Sequence, residues 1–276
     1  MHLVIQGPEI ATADLKALAK LASANRIEQI VPTAFRLHDA HEVPAVAPYC
    51  EQARLDHAWV PAGRRLADMR LAVMDMDSTL ITIECIDEIA DMQGLKPQVA
   101  AITAAAMRGE LDFPQSLRQR VGLLKGLDAS ALKRVYDERL RLSPGADIML
   151  GRFRQLNIRT LLVSGGFTFF TALLRDRLKL DYTRSNVLAI ADGKLTGEVI
   201  GDIVDADVKR KALLEARDEL NVKKDAVIAI GDGANDLQFM TEAGVSVAYH
   251  AKPVVRAQAT HALNYSGLDG VLNLFN

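Results

Sequence analysis

Cysteine is nearly missing from this chain: 276 residues hold 2, Cys50 and Cys85. Their separation matches neither a disulfide framework nor a metal-ligand spacing. That excludes a disulfide-stapled scaffold and leaves both as small apolar residues, expected as free thiols in a reducing compartment. Excess charge is missing too. The formal net charge of −2 gives no global basic field for nucleic acid or an anionic membrane. No apolar run approaches the roughly 20 residues needed to span a bilayer. The opening M-H-L-V-I-Q-G-P lacks the charged region, apolar run and cleavage site of a signal peptide. Internal repeats and low-complexity segments are absent. The expectation is a cytoplasmic protein with a small-molecule partner and with neither nucleic acid nor membrane as a target; a homodimer is left open.

The composition itself is ordinary for a globular protein. Hydrophobic residues make up 49% and charged residues 25%, enough for a sizeable core. The informative stretch is Leu71 to Glu84, L-A-V-M-D-M-D-S-T-L-I-T-I-E. Leu71 to Met74 reads as a buried strand, and Asp75 and Asp77 fall where it ends. Two carboxylates so close need neutralising, and hard oxygen ligands suit magnesium. The carboxyl ends of strands in an open parallel sheet are also where ligands bind. Taken alone, D-x-D-S-T fits a solvated polar turn equally well.

Residues 1 to about 66 read as a small α+β domain, regulatory or dimerising. Leu3 to Ile5 predicts a strand, Thr12 caps a helix behind it, Ile27 to Phe35 is a second strand, and Pro44 to Pro61 is irregular. From residue 67 the expectation is an α/β core, with a doubly wound, mostly parallel sheet. Helical patterns over Ile86–Met92, Val99–Arg108, Phe113–Leu124 and Ala129–Leu140 fill a roughly 60-residue gap between strands, too long for a simple crossover. They predict a helical cap inserted at about 85–142, of the kind that excludes water and carries specificity. The α/β rhythm then resumes with strands at Arg159–Val163, Ala226–Ile230 and Val245–Ala248. An Asp192-Gly193 hairpin interrupts it, and the tail from Lys252 alternates turns and helix.

Three further positions bear chemistry. Ser164-Gly165-Gly166 follows a strand and offers a hydroxyl and unobstructed N–H groups to a phosphate. Lys209 opens a helix and could add a point charge to the same anion. Gly231-Asp232-Gly233-Ala234-Asn235-Asp236 brings two more carboxylates to a strand end, and four acids from two loops would repel strongly without a cation among them.

These strings, in this order, resemble the motifs of the haloacid dehalogenase-like phosphohydrolases: D-M-D-S-T-L, V-S-G-G-F, Lys209 and G-D-G-A-N-D. The longer strings D-x-D-S-T-L-I-x-x-E-x-I-D-E-I-A and F-P-Q-S-L-R-Q-R-V are similar to the phosphoserine phosphatase branch of that family. The resemblance covers about Ala72 to Asn276, cap included, and not the first 66 residues. It implies hydrolysis of a phosphomonoester, O-phospho-L-serine, through a phosphoaspartyl intermediate with Mg2+. Asp75 would be the nucleophile and Asp77 the general acid/base. Asp75, Asp77 and Asp232 would hold the metal, with Asp236 behind them. Ser164, Gly165, Lys209 and Asn235 would bind phosphate. Glu84 would meet the substrate ammonium and Arg120 its carboxylate, with Met107 and Phe113 as an apolar wall. Without the resemblance, Arg120 reads as a solvated helix charge and Met107 and Phe113 as cap core. Rival expectations are another small phosphomonoester, such as phosphothreonine or a sugar phosphate, and a non-enzymatic amino-acid sensor.

Overall fold

The computed structural model describes all residues, Met1–Asn276. Its N-terminal part runs β1 (His2–Gln6), α1 (Thr12–Leu21), β2 (Arg26–Val31), β3 (Ala34–His38), α2 (Val46–Ala53) and β4 (Asp56–Val60). The order β2-β3-β1-β4 makes one antiparallel sheet, the ferredoxin-like β-α-β-β-α-β arrangement. Three local expectations change here. Residues 27–35 form two strands, because Pro32 and Thr33 turn the chain back on itself to pair β2 with β3. The Pro-bearing stretch is ordered into α2 and β4, Pro48 being tolerated in the first turn of α2 where its missing N–H costs nothing. Thr12 lies inside α1, whose N-cap is Ala11 with no side-chain cap.

This sheet is seated on the rest of the molecule by polar anchors. Asp56, 2% exposed, accepts the backbone N–H groups of Asn264, Tyr265 and Ser266 at 2.6, 3.0 and 2.8 Å. Arg36 donates to the carbonyls of Asn273 and Phe275, and Asn273 donates to Gln6 Oε1 at 2.8 Å. These bonds offset most of the cost of burying such groups, although Arg36 Nε and Gln6 Nε2 are left without a partner.

The larger part begins with β5 (Leu71–Met74). Cap helices follow: α3 (Cys85–Asp91), α4 (Lys96–Met107), α5 (Phe113–Gly122) and α6 (Ser130–Arg134), the last ending in a wide turn over Val135–Arg139. Then come α7 (Ala146–Gln155), β6 (Arg159–Phe167), α8 (Thr168–Leu178), β7 (Tyr182–Ala191), β8 (Lys194–Ile200), α9 (Ala206–Glu219), β9 (Val227–Gly231), α10 (Leu237–Met240), β10 (Val245–Tyr249), α11 (Pro253–Arg256) and β11 (His261–Leu263). They build a sheet of order β11-β10-β9-β5-β6-β7-β8, parallel except for β8. β5 and β9 are buried along their whole length, as fits central strands covered on both faces. β11 falls where the sequence predicts only turns and helix; three residues carry too little pattern to read as a strand.

The chain leaves β5 towards β6 on one side and returns to β9 on the other. The carboxyl ends of β5 and β9 therefore flank the point where the winding reverses, the place such sheets open a ligand crevice. Cap entry and exit run side by side: Thr82 N–H donates to Arg141 carbonyl at 3.0 Å, and Ser143 N–H to Leu80 carbonyl at 3.0 Å. A second tie joins the cap to the β7–β8 hairpin. Gly126 and Ala129 N–H donate to the carbonyls of Leu195 and Gly193, and Leu195 N–H returns a bond to Leu127, each at 2.8 Å. Gly197 has φ +84° there, and a Cβ on it would stand 2.9 Å from Lys125 Cβ, so only glycine lets the two backbones approach.

Candidate active site

The site is assembled from three loops at the carboxyl ends of β5, β6 and β9, from the first turn of α9, and from the cap above them. Asp75 ends β5, 7% exposed. Its Oδ1 accepts the Met76 N–H at 2.7 Å and faces Lys209 Nζ at 2.9 Å, which leaves Oδ2 without a protein partner. Lys209 sits on the first turn of α9, 1% exposed, and its Nζ also donates to Asp236 Oδ1 at 2.8 Å. Burial works against that ammonium's charge, but Asp236 and Asp75 outweigh it and hold the pKa above the ordinary lysine value. Asp236 Oδ2 in turn accepts the N–H groups of Asp232 and Gly233 at 3.2 and 3.0 Å. Gly231 allows this fold-back, because a Cβ there would lie 2.6 Å from Asp236.

Oxygens of Asp75, Asp232 and Asp236 gather within 4.8 Å of one another. All-oxygen donors on rigid, largely buried loops fit a hard divalent cation. Charge bookkeeping agrees. Burial, then Asp236, pushes Asp75 well above the carboxylate range despite Lys209. Burial and Asp236 likewise push Asp232 up to about 6. One lysine is too little positive charge for the cluster, so the residues present fit a bound cation. Asp77 does not join this cluster with its carboxylate. Its Oδ1 accepts the N–H of Cys85, the first residue of α3, at 3.1 Å. Burial, then the charge of Glu84, raises Asp77 to about 7, within reach of acid and base duty near neutral pH.

Ser164 lies at the end of the regular part of β6. Its Oγ accepts Gly166 N–H at 2.8 Å, so the hydroxyl proton stays free to be donated. Gly165 carbonyl accepts from Asn186 Nδ2 at 2.7 Å, and Asn186 Oδ1 accepts Val204 N–H at 2.8 Å. Asn186 thus ties the β6 loop to the approach of α9. Gly166 is packed so closely that a Cβ would meet Met76 Cε at 2.7 Å and Asp77 Oδ2 at 2.8 Å. Over Gly165 the cap comes down: a Cβ there would be 2.8 Å from Phe113 Cζ.

A cavity of about 200 Å³ opens between these loops and the cap, lined by Asp75, Asp77, Glu84, Phe113, Arg120 and Ser164, with Asp232, Asn235 and Gly165 also in its wall. Glu84 stands at its mouth and Arg120 on α5 is half-buried. Arg120 Nε donates weakly to Ser116 carbonyl at 3.4 Å, and its terminal amino groups bond nothing in the protein. Burial lowers its pKa, countered by Asp87, Glu84 and Asp77, but a guanidinium stays charged. Arg118, two residues earlier, is exposed. Met107, by contrast, is 68% exposed at the end of α4 and lies outside the cavity wall, its Sδ 3.9 Å from Lys252 Nζ. Lys209 reaches the site from behind, through Asp75 and Asp236, rather than from the cavity wall.

Sequence reasoning passed over several participants. Ile86 and Leu117 supply apolar wall; helical spacing shows them only as inward positions of α3 and α5. Thr79 donates to Asp232 Oδ1 at 2.7 Å, and its place in D-x-D-S-T was the available signal. Asn186 had none, since its role depends on two loops distant in sequence.

With this geometry in hand, comparison with known proteins is direct. A family model described as haloacid dehalogenase-like hydrolase matches residues 69–244. A second, described as a domain of unknown function (DUF4072), matches residues 3–45. A curated phosphoserine phosphatase from a Polaromonas species is 56% identical over 215 residues, covering 76% of this chain and 91% of that one. The crystal structure of a probable phosphoserine phosphatase from Vibrio cholerae, in unliganded form, superposes with TM-score 0.87 at 36% identity, covering 99% of this chain and 85% of the other. A phospho-aspartyl intermediate analogue of phosphoserine phosphatase superposes with TM-score 0.71 at 34% identity, covering 75% of this chain and 99% of that one.

Proposed function

The chain belongs to the haloacid dehalogenase-like hydrolases, and from that premise we propose that it is a phosphoserine phosphatase, releasing L-serine and phosphate from O-phospho-L-serine as the last step of serine biosynthesis. One observation carries the choice of substrate. A single cavity has a carboxylate pair on its floor and, on the cap side, one acid and one arginine with unpaired donors. Glu84 suits an ammonium and Arg120 a carboxylate, which it can grip with two parallel N–H donors. A sugar phosphate offers neither charge.

The chemistry follows from the floor. Asp75 Oδ2, free of hydrogen bonds, attacks phosphorus and forms the phosphoaspartyl ester as the P–O bond to serine breaks. Asp77, protonated below about pH 7, gives its proton to the departing serine oxygen. The resulting carboxylate then takes a proton from water, whose oxygen attacks phosphorus. The P–O bond to Asp75 breaks and phosphate leaves. Ser164 Oγ–H, the Gly165 N–H, Asn235 and the charge of Lys209 stabilise the phosphoryl oxygens. Asp75, Asp232 and the backbone of Asp77 would hold Mg2+, with Asp236 behind them; when bound, it would supply positive charge that keeps Asp75 ionised and offsets charge on the phosphoryl group. Phe113, pressed on Gly165, helps to exclude bulk water.

Two further readings complete the assignment. Residues 1–66 form a unit apart from the hydrolase, which occupies 67–276 with its cap at about 85–142. The protein works in the cytoplasm. Cys50 and Cys85, both buried and unpaired, support a reducing environment, and no helix is long and apolar enough to cross a membrane.

The test is phosphate release from L-phosphoserine, with and without Mg2+, against phosphothreonine, sugar phosphates and an aryl phosphate. A Mg2+-dependent preference for phosphoserine is expected. Mg2+-dependent preference for another ester would keep the floor chemistry and discard the Glu84/Arg120 assignment. No hydrolysis of any ester would overturn the reading.

A further inference from the structure

The residue between the two functions of this site, Ser78, has no part in the chemistry described so far. It follows Asp77 directly and carries φ +55°, a left-handed backbone conformation that costs a serine energy and that glycine would adopt freely. Two bonds hold it there. Its N–H donates to the carbonyl of Ile83 at 3.2 Å, closing the loop between the floor and α3. Its Oγ donates to Glu84 Oε1 at 2.6 Å.

Glu84 itself is placed unusually. It is the N-cap of α3, where a side chain ordinarily turns back to accept a free N–H of the first turn. It makes no such bond. The first N–H of α3, that of Cys85, goes to Asp77 instead. The helix start is thus supplied from the catalytic loop, and the Glu84 carboxylate is released towards the cavity. There its Oε1 is taken by Ser78 while Oε2 has no protein partner. An exposed glutamate with three free torsions would otherwise sample many rotamers, each lowering the fraction ready for a ligand.

We propose that Ser78 is a positioning residue for amine recognition: its hydroxyl holds the Glu84 carboxylate in the orientation that receives the substrate ammonium. This rests on the phosphoserine reading. The left-handed turn at Ser78 aims Asp77 at the α3 N-terminus and Oγ at Glu84 from one short loop, so the group that protonates the leaving oxygen and the group that orders the amine anchor are set by consecutive residues.

The test uses Ser78→Gly, which relieves the backbone while removing the hydroxyl, with Ser78→Ala beside it. Both are assayed on phosphoserine and on 3-phosphonooxypropionate, the same molecule without its amine. The expected result is a kcat/KM on phosphoserine reduced roughly 10- to 150-fold, the size of losing one hydrogen bond to a charged group. It should be carried mainly by KM, with less than about a threefold change on the amine-free substrate. In a Glu84→Ala background, Ser78→Gly should add little further loss on phosphoserine. Equal losses on the two substrates would assign Ser78 to the floor chemistry and overturn the proposal. So would wild-type behaviour of both variants on phosphoserine, or a full additional loss in the Glu84→Ala background. If the unmodified protein itself ignores the amine, the Glu84 reading fails first and takes this inference with it. If it discriminates and the variants discriminate equally well, Ser78 alone is excluded.

Discussion

The floor of the cavity and its cap wall are built on different principles. On the floor, Asp75, Lys209 and Asp236 are buried and locked by charge-assisted bonds of 2.8 and 2.9 Å, and glycines at 166 and 231 leave no room for the chain to shift. On the wall, Glu84 is exposed with one oxygen held by Ser78 and the other free, Arg120 has one long bond to a carbonyl, and neither touches an opposite charge. Phosphoryl transfer needs groups preorganised before substrate arrives. Substrate selection works with groups left unsatisfied, because an unpaired buried donor rewards only the ligand that pairs it. The difference teaches where to look for each: chemistry in over-determined geometry, specificity in unspent hydrogen-bonding capacity.

Substitutions on the floor should break this comparison most severely. Asp75→Asn should lower phosphoserine turnover by on the order of 10⁴-fold or more while the circular dichroism spectrum stays native; substantial residual turnover would remove Asp75 as the nucleophile. Lys209→Ala should cost stability as well as activity, since it leaves two buried carboxylates without their cation. A loss of about 3–5 kcal/mol is expected from breaking a buried charge network, read by urea denaturation in the metal-free protein. A stability unchanged from wild type would show that the network is solvated.

On the wall the effects should be smaller and substrate-selective. Arg120→Ala should reduce kcat/KM for phosphoserine about 100-fold, as expected for a desolvated charge pair, and that for an aryl phosphate only about twofold. Equal losses on both would assign Arg120 to holding the cap rather than the carboxylate. The smallest effect joins the two regions. Glu84 is the second cause, after burial, of the raised Asp77 pKa. Glu84→Gln removes a negative neighbour, so the Asp77 acid ionises more easily and its pKa falls. The alkaline limb of the kcat/KM profile on phosphoserine, where the protonated acid is lost, should then move to lower pH. A limb that stays put would remove Glu84 as a cause of the raised Asp77 pKa.

Much of the floor was legible before any coordinates, because its residues come in short contiguous strings. Asp75 and Asp77 share one loop, Asp232 to Asp236 another, and each follows a run of β-prone residues that is buried throughout. Local periodicity carries that information. The cap was legible as helices, but Met107 shows the limit: pattern places it on an apolar helix, and only the packing of α4 turns it outward to 68% exposure. The N-terminal sheet was read with two strands too few: Pro32-Thr33 looks the same inside a bent strand as between two paired ones until the partner is known, and β4 shows itself only by pairing with β1 inside a stretch that its prolines mark as irregular.

Residue order alone supplies the inventory: which acids sit at strand ends, which glycines permit close turns, and that helices intervene after the first acidic loop. The tertiary structure alone decided the partnerships. Lys209 meets Asp75 across 134 residues of chain only because α9 leads into the strand beside β5. Asp56 finds the N–H groups of 264–266 only once the N-terminal sheet is seated. The reason is physical: propensity and periodicity act between near neighbours, whereas a buried charge is tolerated only if the whole fold delivers its partner.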